Sequence, residues 1–120
     1  KYSKVIVYVK FNSISKDKTS CGATACLLTP QLRLISNKDY TTTVQKYDLV
    51  HFHLDQGSNT GTWVDDNQFY DREKDRPKDV VIPVVMDINN CSSDMRLSFD
   101  VDGGNVEFSA TVTQVVGIPR

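Results

Sequence analysis

The two histidines of the chain lie one residue apart, in the stretch VHFHLDQGSNTG that begins at Val50. Residues i, i+2 and i+4 of a β-strand share a face, so His51, His53 and Asp55 are predicted to project together. Two imidazoles and a carboxylate could hold one Zn²⁺ and leave its fourth position open to water. The same alternation of polar and apolar residues is typical of any half-exposed strand. We expect the solvent-facing strand, with a zinc site as the alternative.

Within this stretch, HFHLDQG resembles the H-x-H-x-D-H motif of the metallo-β-lactamase family. The resemblance implies zinc ligands at His51, His53 and Asp55, on an αββα sandwich much longer than this chain. The family's motif continues with a histidine where this chain has Gln56. It also draws further histidines from distant segments, and this chain has none left to provide them. The sequence therefore predicts neither that fold nor that zinc site.

Other catalytic arrangements are not indicated by the sequence. It contains no G-x-S-x-G motif and no glycine-rich phosphate loop. The neighbouring carboxylates Asp65 and Asp66 would point apart on a strand. We therefore predict no catalytic residue, no cofactor and no bound metal. A small zinc-dependent enzyme that uses the His51/His53 face is the third functional possibility.

The composition is that of an ordinary globular domain. The 120 residues suffice for one domain with one core, and 39% hydrophobic with 24% charged residues argues against disorder. A net charge of −1 argues against a nucleic-acid binder, which needs a cationic surface, and against a polybasic membrane-surface domain. The longest apolar runs, residues 5–9 and 80–86, are too short to span a bilayer. We expect neither a nucleic-acid partner nor membrane insertion.

The chain has three cysteines, Cys21, Cys26 and Cys91, whose redox state depends on the compartment in which the protein is found. One disulfide between any two of them would leave one thiol over. Cysteines in a small β-rich chain are typical of secreted domains, so we predict a disulfide of undefined connectivity and a secreted, cell-surface or virion-surface location. The alternative is three buried thiols that pack as small apolar groups. Because the chain begins at Lys1 rather than at methionine, we also expect a processed N-terminus or a piece of a longer protein.

Almost every readable segment alternates with period two. VIVYVKF places Val5, Val7, Val9 and Phe11 on one face of a strand. DVVIPVVMDI contains Pro83, which predicts an edge strand or a bulge.

Proline also marks the end of the short apolar segment ATACLL, which we expect to stop at Pro30. No segment keeps the i, i+3, i+4, i+7 spacing of an amphipathic helix, and the best helical candidate, NQFYDREKD, is long enough for only a turn or two. We predict one all-β domain over residues 1–120. Its expected form is an antiparallel β-sandwich, Greek-key or jelly-roll-like, with about eight short strands and at most one short helical turn.

The C-terminal sequence MRLSFDVDGGNVEFSATV predicts a β-hairpin with a two-residue turn at Gly103 and Gly104. This register pairs apolar residues on one face: Val101 with Val106, Phe99 with Phe108, Leu97 with Ala110, and Met95 with Val112. On the other face it brings Asp100, Asp102 and Glu107 together with Asn105. These oxygens could bind Ca²⁺. We expect instead a solvated edge whose charges discourage pairing with other chains.

The segment that follows the histidines contains the best candidate binding patch. Its members are aromatic or carry carboxylate and amide groups: Trp63, Asp65, Asp66, Asn67, Phe69 and Tyr70. Tryptophan and tyrosine are favoured interface anchors, and an aromatic ring beside Asp and Asn could also receive a sugar. The alternative for Trp63 and Phe69 is burial in the core.

Loops on a rigid scaffold commonly carry recognition, so we predict a non-enzymatic binding or adhesion module with a protein or glycan partner. The second possibility is a structural or assembly subunit of pilus, capsid or tail type that packs through an edge strand. The sequence makes no prediction of the oligomeric state.

Overall fold

The computed structural model describes residues 2–15, 26–36, 43–54, 61–63, 68–88, 95–102 and 107–119. In these ranges every regular element is a β-strand and every strand pairing is antiparallel. The prediction of an all-β antiparallel fold is confirmed. No helix in this part of the chain is long and apolar enough to cross a membrane.

Ten strands lie within the described ranges. They are β1 (Tyr2–Ile14), β2 (Cys26–Ser36), β3 (Thr43–Asp48), β4 (Phe52–Leu54), β5 (Gly61–Trp63), β6 (Tyr70–Asp71), β7 (Arg76–Pro77), β8 (Ile82–Asp87), β9 (Met95–Asp102) and β10 (Phe108–Pro119). Eight of them form two main sheets, and β6 and β7 form a separate small hairpin. The two main sheets together contain eight strands, which agrees with the predicted number of about eight.

The first sheet has the order β10-β1-β8. Its central strand buries the face that the alternation predicts, because Val7 and Val9 are 0% exposed and Phe11 is 1% exposed. Strand β8 pairs with β1 alone among the described strands, so Pro83 lies in an edge strand as predicted. An edge strand tolerates proline because the missing N–H can face away from the ladder.

The second sheet is built around β2. Strand β9 pairs with it over Thr29 to Ser36, while β3 and β4 follow one another along its opposite edge and β5 lies outside β4. The prediction that the strand stops at Pro30 is wrong, because β2 continues through it. The carbonyl of Pro30 accepts a hydrogen bond from Leu49 N at 2.8 Å, at the interruption between β3 and β4. Proline has no N–H group to donate, and at Pro30 this missing donor faces the interruption between β3 and β4.

The hydrophobic core draws on both sheets, which is consistent with the small antiparallel β-sandwich that the sequence predicts. It includes Val7, Val9 and Phe11 of β1 and Leu32 and Leu34 of β2. An aromatic cluster connects the sheets. The ring of Phe11 stacks on Phe108 at 6.1 Å between centroids, and Phe108 forms a T-shaped pair with Phe99, with centroids 6.0 Å apart.

The predicted C-terminal hairpin is wrong in its pairing. Strand β9 pairs with β2 and β10 pairs with β1, so the two strands belong to different sheets. Their apolar faces meet across the core instead of side by side, as the contact between Phe99 and Phe108 shows. An alternating strand can bury its apolar face either way, and the sequence pattern is the same for both. Gly103 and Gly104 lie outside the described residues.

The acidic group expected at that hairpin is separated by the same change. Asp100 lies opposite Gln31 of β2 and forms an ion pair with Arg33 at 2.9 Å. Glu107 lies beside β1, where its carbonyl accepts a hydrogen bond from Ser15 N at 2.7 Å. The calcium alternative required Asp100 opposite Glu107 and therefore loses its geometric basis.

Lys10 of β1 and Asp79 form an ion pair, which supports a prediction about how stability depends on pH. Lys10 Nζ lies 2.8 Å from Asp79 Oδ1, and the hydrogen bond and charge of Lys10 lower the pKa of Asp79. Because the folded-state pKa is depressed, the pair stabilises at neutral pH, and this contribution is lost as the pH falls through that pKa. We expect Lys10→Gln to raise the pKa of Asp79 towards its ordinary range in an NMR titration of the carboxyl carbon.

The matched control is Lys4→Gln, at the other end of β1, which should leave the Asp79 titration unchanged. An Asp79 pKa that is the same in wild type and Lys10→Gln would contradict the ion pair in solution.

Candidate binding site

The structure describes three residues of the predicted binding patch, Trp63, Phe69 and Tyr70. Trp63 ends β5, opposite Phe52 of β4. Asp65, Asp66 and Asn67 lie outside the described residues. Phe69 and Tyr70 are buried, with exposed fractions of 1% and 3%.

The two buried aromatic residues attach the β6–β7 hairpin to the core. The rings of Phe69 and Tyr47 form a T-shaped pair with centroids 6.4 Å apart, and Lys78 N donates to the carbonyl of Phe69 at 2.7 Å. The hydroxyl of Tyr70 donates to Asp75 Oδ1 at 2.9 Å across the hairpin. Phe69 is therefore a core residue, which was the alternative interpretation of it. Both rings hold the hairpin in place rather than offering a wide aromatic surface to a partner.

The turn of this hairpin comprises residues 72–75, within the segment that was the best helical candidate. Asp71 Oδ1 accepts a hydrogen bond from Lys74 N at 3.1 Å, and Asp75 has a positive φ of 51°. Aspartate tolerates this left-handed conformation better than most residues, and it reverses the chain instead of continuing a helical turn. Asp71 and Asp75 thus stabilise the turn at its two ends.

An open cleft of about 470 Å³ lies against the hairpin. It is lined by Tyr70, Asp71, Arg72, Glu73 and Lys78. Two carboxylates, two cations and a phenol make the lining polar and of both charge signs. Such a lining suits a partner that offers hydrogen bonds and charges, rather than an apolar anchor.

Sequence reasoning did not select four of the cleft residues. These are Asp71, Arg72, Glu73 and Lys78. The available signal was turn chemistry: DREKDRP has aspartates that flank a short charged run, followed by a proline. If a hairpin had been predicted there, the charged residues of its two strands would have been expected to lie close together.

The histidine stretch lies in the second sheet. His51 directly precedes β4, and His53 lies within it, opposite Leu27 of β2 and Thr62 of β5. His51 and His53 are each partly buried, and Asp55 lies outside the described residues. The predicted projection of all three side chains from one face thus stays a prediction.

A hydrogen-bond network connects His51 to three strands. Its imidazole Nε2 lies 3.3 Å from Asp48 Oδ2, and the other oxygen of Asp48 accepts from Gln31 Nε2 at 2.6 Å. Arg33 Nε donates to Gln31 Oε1 at 2.9 Å and its guanidinium also binds Asp100. Gln31 is only 1% exposed, so this network satisfies a buried amide.

The network gives His51 a structural environment that the zinc hypothesis did not anticipate. Its carboxylate partner is Asp48, three residues before it in the chain, and the adjoining member of the network is an amide. Within the described ranges, no group of three or more His, Cys, Asp or Glu side chains could hold a metal ion.

Of the three cysteines, Cys26 begins β2. Cys21 and Cys91 lie outside the described residues, so the disulfide remains a prediction.

Comparisons with protein-family models, with curated proteins and with solved structures found no match to this chain. The fold and the site define its class: a small antiparallel β-sandwich with a polar cleft at a hairpin attached to its core.

Proposed function

We propose that this protein is a non-enzymatic binding module whose β6–β7 hairpin and adjoining cleft recognise a protein or glycan partner. The observation that carries the proposal is the cleft of about 470 Å³ at a hairpin whose two aromatic side chains are buried. A recognition loop held by a rigid scaffold loses little conformational entropy when it binds.

The rigidity of the hairpin has three sources. Phe69 is packed in the core, Tyr70 is hydrogen-bonded to Asp75, and Lys78 N is hydrogen-bonded to the carbonyl of Phe69. These contacts join the start of the hairpin, its turn and the residue after it. The charged side chains of the cleft consequently project from a backbone of defined shape.

The chemistry of the cleft favours a polar partner. Arg72 and Lys78 can donate to carboxylate or hydroxyl groups, and Asp71 and Glu73 can accept from hydroxyl, amide or ammonium groups. A protein surface carrying both charge signs, or a glycan rich in hydroxyls, offers these groups. Residues 65–67 and Trp63 precede the hairpin in sequence and belong to the same proposed site.

The proposed setting is outside the cell, on a cell or virion surface or secreted. The support is the small β-rich chain with three cysteines. A disulfide among these cysteines is part of the proposal, with its connectivity left open.

The test is a screen of the immobilised protein against a glycan array and a displayed peptide library, with two charge-reversal variants. We expect Arg72→Glu to weaken any selected ligand by about tenfold or more, because it reverses a charge that lines the cleft. The matched control is Lys46→Glu, an equally simple reversal on the exposed strand β3, which should leave affinity unchanged.

Melting curves of both variants would show that each is folded. An equal loss of affinity in the two variants, or no ligand selected by the wild type in either screen, would overturn the proposal.

A further inference from the structure

The edge strands of this sandwich are not equally protected against pairing with other chains. Exposed edges are usually guarded by charge, by proline or by shortness. Strand β8 contains Pro83 and Asp87, β3 contains Lys46 and Asp48, and β5 has only three residues. Strand β9 carries charged residues as well, including Arg96 and Asp100.

Strand β10 is the exception among the edge strands of the described ranges. Its twelve residues, FSATVTQVVGIP, include no charged side chain, and its one proline is the last residue. Within the described part of the chain it pairs with β1 alone, and no other described strand pairs with its second edge. Its pairing with β1 shifts register near Thr113. From Gln114 to Ile118, five consecutive residues then follow in regular register.

Val115 is a residue of this edge strand that remains half exposed although it lies on the core-facing side of the sheet. Val115 lies opposite Val7, so both side chains are on the core-facing side of the sheet. Val7 is 0% exposed, whereas Val115 is 50% exposed. Two residues further along β10, the ring of Tyr2 lies over Gly117, where a Cβ atom would come within 2.7 Å of the ring, and Tyr2 is 57% exposed. An additional strand beyond β10 would cover this apolar rim.

We propose that residues 114–118 of β10 pair antiparallel with the same residues of a second copy of this chain, which forms a twofold symmetric dimer with one continuous six-stranded sheet. The lack of charge on β10 favours a second copy of this chain as the partner. Antiparallel self-pairing places a strand against its own side chains, and like charges opposite one another are unfavourable. A strand without charges escapes this penalty, and the net charge of −1 keeps repulsion between copies small.

Geometry restricts the register of such a dimer. A continuous sheet requires opposite residues to lie on the same face. Within residues 114–118, Val115 then faces either Val115 or Gly117 of the second copy. In both registers the two half-exposed Val115 side chains are neighbours across the twofold axis, which buries them together.

The experiment is sedimentation equilibrium of the wild type and of charge variants at Val115. We expect the wild type to dimerise, and Val115→Lys and Val115→Glu each to raise the dimer dissociation constant by about tenfold or more, because like charges then meet across the axis. An equimolar mixture of the two variants should associate again, because each lysine then meets a glutamate. The control is Val85→Lys on β8, which changes a valine of almost the same exposure, 53%, and should leave dimerisation unchanged.

Amide hydrogen exchange of the wild type at low and high concentration tests the same edge without a substitution. Amides of residues 114–118 should gain protection as the concentration rises, and those of β8 should not. A wild type that stays monomeric at every soluble concentration would overturn the proposal. So would dissociation by Val85→Lys but not by Val115→Lys, or concentration-dependent protection confined to another strand.

Discussion

Phe11→Ala is expected to lower the free energy of unfolding by about 3–5 kcal/mol, the usual range for removing a large aromatic side chain from a core. Phe11 is 1% exposed on the central strand of its sheet, so the surroundings can close the cavity only in part. Its ring also stacks on Phe108 at 6.1 Å, and Phe108 contacts Phe99 of the opposite sheet. Losing Phe11 therefore loosens the contact that joins the two sheets.

Urea denaturation followed by tryptophan fluorescence or circular dichroism would measure this change. Tyr2→Ala is the matched control, because Tyr2 is an aromatic residue of the same strand that is 57% exposed, and it should cost no more than about 1 kcal/mol. A double-mutant cycle on Phe99 and Phe108 should give a coupling of about 0.5–1.5 kcal/mol. A loss below about 1 kcal/mol for Phe11→Ala would mean that the ring is not in the core.

Gln31→Leu is expected to lower the free energy of unfolding by about 1–3 kcal/mol, although leucine has a similar volume and is apolar. The amide of Gln31 connects Asp48 to Arg33, and leucine would leave both charged groups without this partner. The side chains of Arg33 and Asp48 are 23% and 43% exposed, so water replaces part of what is lost. This partial solvation is why the expected loss is smaller than for the core phenylalanine.

The control is Gln45→Leu, the same substitution at an exposed position of β3. It should change stability by no more than about 0.5 kcal/mol. The NMR signals of His51 and Arg33 should shift in Gln31→Leu and not in Gln45→Leu, because Asp48 connects His51 to Gln31 and Arg33 donates to the Gln31 amide. Equal stability losses in the two variants would show that the buried amide contributes nothing beyond its apolar contacts.

For the central strand β1, the sequence alone was sufficient to predict the strand and the face it buries. Val7, Val9 and Phe11 alternate, and a strand places alternate side chains on one side whatever its neighbours are. Pro83 was also informative by itself, because a missing N–H excludes the interior of a regular sheet. These properties are local, so they can be recognised without knowing the fold.

The candidate site was only partly predictable. The segment from Trp63 to Tyr70 led to the hairpin region, but the aromatic residues that drew attention to it include two that are buried. Sequence does not distinguish an aromatic anchor for a partner from one for the core, because both require the same large apolar ring. The four charged cleft residues come together only when β6 and β7 pair.

Which strands become neighbours was decided by the tertiary structure. The apolar faces of β9 and β10 predicted a contact between Phe99 and Phe108, and that contact exists, but across the core rather than within one sheet. Pro30 is tolerated inside β2 because the facing strand is interrupted opposite it, a circumstance that its own segment does not reveal. Alternation and proline chemistry thus determine strands and their buried faces, whereas pairing depends on hydrogen-bond partners far along the chain, which the whole fold selects together.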